Sequence, residues 1–262
     1  MDMGPGCRIG KSCKSGESPG EEESNRASLA EINAGIYDSY FKEWAEDVAE
    51  YGYPFFFRWA WEMNGTWFKW GRDAAGNPAA YVQAWRRLHS IAVGAGASNI
   101  TWVWCPNVDS SNSPFNSSLY PGDAYVDWTC MDGYNEGGTG WRSFSEIFGA
   151  TYTALVSMAP SKPIMIGETA SAEGPHFVGP KEFGKQTWIT EALAYELPVL
   201  YPKIKAINWF NWNIVEGGTE RTWPIETSDG AQVAFAAGIN SPYYAEDSYG
   251  ALPPLTKIQP LP

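Results

Sequence analysis

Pro54–Gly71 reads PFFFRWAWEMNGTWFKWG. An apolar, aromatic run (Phe55–Trp61) empties through a single carboxylate, Glu62, into an Asn-Gly turn followed by Trp67 and Trp70. A short continuous apolar run of this kind suits a strand buried on both faces, as in a parallel sheet. Parallel α/β proteins present their functional groups where such strands end and the following loops begin. PIMIGETAS (Pro163–Ser171) has the same form, with Glu168 at the end of its apolar run.

Outward from these two points the chain alternates. Strands are expected at Phe55–Trp61, Ile100–Cys105, within Tyr125–Tyr134, at Ile164–Glu168 and at Ile204–Trp212. Ser28 and Glu31 have capping-box spacing, and Gly35 interrupts the helix they open. Asp38 recaps a second helix whose Phe41, Trp44, Ala45 and Val48 share a face. Asn77–Pro78 opens another, with Tyr81, Trp85, Leu88 and Ile91 turned inward. Helices are also expected over Phe144–Met158, Glu182–Tyr195 and Gln232–Ala237. This alternation predicts an α/β fold, a parallel sheet covered by helices, as one domain over 28–262.

Residues 1–27 differ in kind. They are polar, rich in Gly and Ser, and nearly without large apolar side chains, so disorder is the expectation. GCRIGKS within them looks like a phosphate loop, but its glycine spacing is wrong and no strand precedes it.

The chain has 262 residues, of which 44% are hydrophobic and 15% aromatic. Its net charge of −12 excludes nucleic acid and anionic membrane as natural partners, since phosphate contacts call for clustered Lys and Arg. No apolar run approaches the ~20 residues of a membrane span, and the first residues lack the apolar core of a signal peptide. A neutral polysaccharide would be indifferent to the charge. Fourteen Trp and fourteen Tyr offer flat faces that stack on pyranose rings, although core packing accounts for most of them. The four cysteines show no zinc-type pairing, and Cys105 and Cys130, in apolar runs, read as buried thiols.

Five strand ends carry the chemistry: Glu62, Cys105–Pro106–Asn107, Asp132–Gly133–Tyr134, Glu168 and Trp209–Phe210–Asn211. In a barrel such ends converge on one face. Two carboxylates there suit retaining glycoside hydrolysis, one protonating the leaving oxygen and the other attacking the anomeric carbon. Trp59, Trp61 and Trp67 would keep the proton on the acid by desolvation, and Tyr134 would stabilise the ionised nucleophile by a hydrogen bond. Against this, a glutamate after an apolar strand is often just the first solvated loop residue. Asp127 and Asp132 read as loop-capping groups. Arg58, inside an apolar run, needs a buried partner and would orient a strand-end carboxylate. His89 and His176 read as surface or helix residues, and no Ser/His/Asp set or metal cluster competes.

RWAWEMNGTWFKWG, YPGDAYVDWTCMDGYN, PIMIGETAS and INWFNW together resemble glycoside hydrolase family 26 over about Gly35–Tyr244. The resemblance implies a (β/α)₈ barrel, mostly endo-acting β-mannanases, retaining chemistry without metal or cofactor, and secretion, although no signal peptide is visible. It casts Glu62 as acid/base on the fourth strand and Glu168 as nucleophile on the seventh, with Tyr134 bonded to the nucleophile. Trp67 becomes a wall of the substrate cleft and Trp209 a platform under the sugar; Trp61, Trp70, Arg58 and Asn107 join them as substrate-binding candidates. Many relatives carry His where this chain has Trp61, which leaves the sugar open among β-1,4-mannan, mixed-linkage β-glucan and β-1,3-xylan. Strands four to eight are visible and strands one to three are not, so a truncated or frame-shifted start is expected. A non-catalytic carbohydrate binder and an inactive relic are the other readings.

Overall fold

The computed structural model describes residues 27–137, 140–174, 184–216, 219–244 and 252–260. The polar amino-terminal segment, apart from Ala27, and His176 therefore lie outside the described residues. In chain order the elements are α1 (Leu29–Asn33), α2 (Asp38–Tyr51), β1 (Phe55–Phe57), α3 (Lys69–Gly76) and α4 (Pro78–Gly94). Then come β2 (Ile100–Trp104), β3 (Trp128–Asn135), α5 (Phe144–Met158), β4 (Ile164–Ser171) and α6 (Lys185–Glu191). They are followed by β5 (Ile204–Trp209), a hairpin of β6 (Ile214–Glu216) and β7 (Thr219–Arg221), and α7 (Asp229–Ile239).

The sheet has the order β1-β2-β3-β4-β5. Its pairings β1/β2, β2/β3 and β4/β5 are parallel, with Phe57 opposite Trp102, Val103 opposite Trp128 and Ile166 opposite Ile207. Adjacent strands in sequence order, joined by helices except between β2 and β3, where a loop with one 3₁₀ turn (Ser117–Leu119) makes the connection, give the (β/α)₈-barrel type of fold. Among the described residues five strands form this sheet, those expected as the fourth to the eighth.

By contacts the chain falls into two compact units, one running to Cys130 and including the carboxyl-terminal stretch, the other starting at Met131. The first unit is built on aromatic packing. Eight of the fourteen Trp of the chain are buried, six of them here: Trp59, Trp70, Trp85, Trp102, Trp104 and Trp128. Helix α4 opens as expected, the Asn77 side chain accepting from Ala80 N and Pro78 occupying the first turn, where no N–H is needed. Its inward face, Tyr81, Ala84, Trp85, Leu88 and Ala92, follows the helical period. Trp85 meets Trp59 and Trp102 with ring centroids 6.0 and 5.7 Å apart and donates its Nε1–H to Tyr125 O.

Residues 252–260 complete this unit as a strap. Leu255 N donates to Gly52 O, Ser98 Oγ to Leu255 O, Ile258 N to Thr101 Oγ1 and Trp128 Nε1 to Ile258 O. Lys257 reaches Asp127 Oδ1 at 2.7 Å, and the other carboxylate oxygen accepts from Trp102 N.

Several expectations shift. Asp38 does not cap α2. Its carboxylate instead takes two hydrogen bonds from the Arg87 guanidinium, which hold it below the usual carboxylate range. Cys105 and Cys130 are bonded as a disulfide rather than left as thiols, because strand pairing brings them side by side. Helix α6 runs on into nine π-helical residues, Ala192–Leu200, that contain Pro198. The β6–β7 hairpin and α3 had no distinct sequence pattern and were not expected.

Candidate active site

In the first unit the site is made by an early end to β1. The expected strand Phe55–Trp61 stops at Phe57. Beyond it Ala60 and Glu62 have φ of 45° and 53°, left-handed values that side chains other than glycine rarely adopt and that concentrate at functional sites. Side chains take over the carbonyls a ladder would have used: Tyr81 Oη donates to Ala60 O at 3.3 Å and Trp70 Nε1 to Trp61 O at 2.7 Å. The backbone then returns to the sheet through Glu62 N, which donates to Cys105 O at 2.7 Å.

Both carboxylate oxygens of Glu62 are gripped. Trp67 Nε1 donates to Oε2 and Asn107 Nδ2 to Oε1, each at 2.7 Å. The residue is 8% exposed. Asn107 is itself held by Ser113, whose Oγ donates to its Oδ1 at 3.1 Å. Asn64 braces the same loop with its whole amide: Oδ1 accepts from Asn107 N, and Nδ2 donates to the carbonyls of Asn107 and Ser113. Gly65 is required because the Trp67 ring lies over it; a Cβ there would stand 2.3 Å from Cη2. Gly71 lies against Gly65 O, 2.0 Å from where its own Cβ would be.

Removing the Asn107 amide should free one oxygen of the carboxylate. A hydrogen bond to a charged group contributes ~1.5–3 kcal/mol, so Asn107→Ala is expected to lower kcat/KM roughly 10-fold or more. The measurement is steady-state hydrolysis of a soluble polysaccharide, and an unchanged value in a folded variant would refute the clamp.

In the second unit Glu168 lies within β4, which continues to Ser171, so it is not a strand-end residue as expected. Tyr134, on β3, donates its hydroxyl to Glu168 Oε2 at 2.5 Å. The Tyr134 ring is stacked on Trp223, with centroids 4.3 Å apart and planes 15° apart, and Phe210 stands edge-on to both. Asp132 is fully buried on β3, which rules out the loop-capping role.

The expected substrate-facing residues divide. Trp67 is 40% exposed while bonded to Glu62, so it offers a free ring face beside the carboxylate. Trp61 is half-buried against Phe68 and Trp70, with the Arg58 guanidinium 5.5 Å over its ring. Trp70 is 1% exposed and packed beneath, which withdraws it from solvent. Trp59 is equally buried, stacked on Tyr81. Trp209 is half-buried, edge-on to Trp188 and Phe235, with its Nε1–H on Trp223 O. Asn107 serves the carboxylate instead of standing free. Asn64, Ser113 and Trp223 were missed by the sequence reading; Asn64 sits inside the quoted motif, whereas Ser113 and Trp223 have no local signature.

A parallel α/β protein of barrel type with a clamped glutamate beyond one strand and a tyrosine-bonded glutamate on another has the make-up of a glycoside hydrolase. The sequence profile of glycosyl hydrolase family 26 matches residues 24–190, more than half of the chain, and the chain belongs to that family. Endoglucanase H of Acetivibrio thermocellus is 35% identical over 220 residues, 80% of this chain and 23% of that protein. Mannan endo-1,4-beta-mannosidase A and B of Caldalkalibacillus mannanilyticus is 31% identical over 96 residues, 34% of this chain and 18% of that protein. Among solved structures, the family 26 β-mannanase BoMan26A of Bacteroides ovatus superposes with a TM-score of 0.61 at 22% identity, covering 88% of this chain and 65% of that one, which shows a shared fold. The chain thus spans less than a quarter of the two curated relatives and about two thirds of the mannanase structure.

Proposed function

We propose that this chain hydrolyses the backbone of a β-1,4-mannan-type polysaccharide internally and with retention, Glu62 being the acid/base and Glu168 the nucleophile. The observation that carries the reading is the 2.5 Å hydrogen bond from Tyr134 to Glu168, which steadies one carboxylate oxygen and aims the group. In the first step Glu168 attacks the anomeric carbon, the bond to the leaving oxygen breaks, and the Glu62 proton passes to that oxygen. In the second, Glu62 takes a proton from water, the water oxygen attacks the same carbon, and the bond to Glu168 breaks. Two inversions restore the configuration. Trp67, with its exposed face beside Glu62, is the surface on which a sugar would stack.

A second reading, β-glucan in place of mannan, is favoured by the 35% identity to an endoglucanase over most of this chain. Reducing-sugar release from galactomannan, glucomannan, lichenan and β-1,3-xylan separates the two, and NMR of the first product gives the stereochemistry. A first product with inverted configuration would sink the double-displacement mechanism. Release from lichenan without galactomannan would move the assignment to glucan. We also propose an extracellular site of action, supported by the Cys105–Cys130 disulfide, which persists in oxidising compartments; the protein should then be recovered from culture medium and not from cell lysate.

A further inference from the structure

Behind the Tyr134–Glu168 pair the second unit holds a buried ammonium. Lys185, the first residue of α6, is fully buried, an unusual place for a lysine. Its three N–H donors are all used: on Thr222 O at 2.7 Å, on Thr227 Oγ1 at 2.9 Å and on Pro224 O. Glu173 Oε1 stands 3.6 Å away as counter-charge. Burial pushes the ammonium down to about 8, and Glu173 works against that fall.

All three acceptors belong to one loop, Thr222–Thr227, and two of them flank Trp223. Glu173 ties the same loop as well. Its backbone N donates to Thr222 Oγ1, and its carboxylate accepts from Ser228 Oγ and Thr227 Oγ1. Trp223 is 4% exposed, and its Nε1 is without a hydrogen-bond partner among the described residues. The indole is therefore placed by its packing on Tyr134, Phe210 and the Arg221 guanidinium and by its main chain, which Trp209 Nε1 holds at Trp223 O and Lys185 fixes at the carbonyls on either side. An apolar side chain would cover the loop equally well; a tripod of hydrogen bonds sets its position at two carbonyls on either side of the indole.

We propose that Lys185 is a positioning residue for the nucleophile: it bolts the Thr222–Thr227 loop so that Trp223 presses on Tyr134 and Tyr134 holds Glu168. This rests on the reading of Glu168 as nucleophile. The test is a double-mutant cycle in the whole chain with Lys185→Met, Tyr134→Phe and both together, on whichever polysaccharide the parent cleaves. Lys185→Met is expected to lower kcat roughly 10-fold with KM changed by less than about twofold, because the loss falls on the chemical step. In the Tyr134→Phe background the same substitution should cost less than about twofold, since the contact it serves is already gone.

A full loss on top of Tyr134→Phe, or an unchanged kcat, would overturn the proposal. Should Lys185→Met not fold, Thr227→Val removes one exposed acceptor of the ammonium, keeps the charge, and is run through the same cycle. A parent as inert as Glu168→Ala sinks the site's reading and this proposal with it. An active parent with silent Lys185→Met and Thr227→Val sinks this proposal alone.

Discussion

Glu168→Ala is expected to abolish polysaccharide hydrolysis, lowering kcat by roughly 10⁴- to 10⁶-fold, the scale on which loss of a nucleophile acts. The loss should hold for an aryl glycoside with a good leaving group, because no amount of leaving-group assistance replaces the attacking oxygen. Added azide should restore turnover by entering the space the carboxylate vacates, and it should give a glycosyl azide of inverted configuration. Glu62→Ala behaves differently under this assignment. Its loss on polysaccharide is about 10²- to 10⁴-fold, and it shrinks in the first step for an activated aryl glycoside that departs without a proton. Steady-state and single-turnover kinetics on both substrate types read the two patterns. Equal leaving-group dependence in the two variants would overturn the assignment of roles.

Trp85→Ala carries the largest expected effect on stability. The side chain has no exposed surface and touches Trp59, Tyr81 and Trp102, so its removal takes out a shared support of α4 and β2. A buried Trp or Phe truncated to Ala costs ~3–5 kcal/mol, against a total stability of ~5–15 kcal/mol. At ~2–4 °C per kcal/mol for a protein of this size, Tm should fall by roughly 10 °C or more. The indole also donates to Tyr125 O, and that carbonyl loses its partner as well. Calorimetry or far-UV circular dichroism measures the shift, and a fall under about 2 °C would show that the surrounding rings close over the space.

Much of this was legible in the sequence because it rests on local pattern. The run Ile100–Trp104 is apolar throughout and buried throughout, and Phe144–Met158 carries its own capping box in Ser143 and Glu146. Glu62 and Glu168 stood out because each is a lone carboxylate at the end of an apolar run. The end of β1 was not legible. Phe55–Trp61 has strand composition to its last residue, and the strand stops because Tyr81 and Trp70, 21 and 9 residues further on, capture its carbonyls. Trp70 looked like a substrate-binding residue because an aromatic ring in a motif gives no sign of which way it faces, and it proves to be buried. Trp223 and Lys185 left no mark at all, since their importance comes from a loop and a helix end meeting across 37 residues of chain.

The strap formed by residues 252–260 also governs when the first unit can finish folding. Ser98 and Thr101 wait for partners 157 residues downstream. On a ribosome, β1 and β2 emerge long before the segment that caps their starting edge, and until it arrives Thr101, Asp127 and the Trp128 indole lack the contacts it supplies. Such distant closures slow folding and lengthen the exposure of apolar strands to one another. The first unit is thus most open to aggregation in the interval between the emergence of its aromatic core and that of residues 252–260.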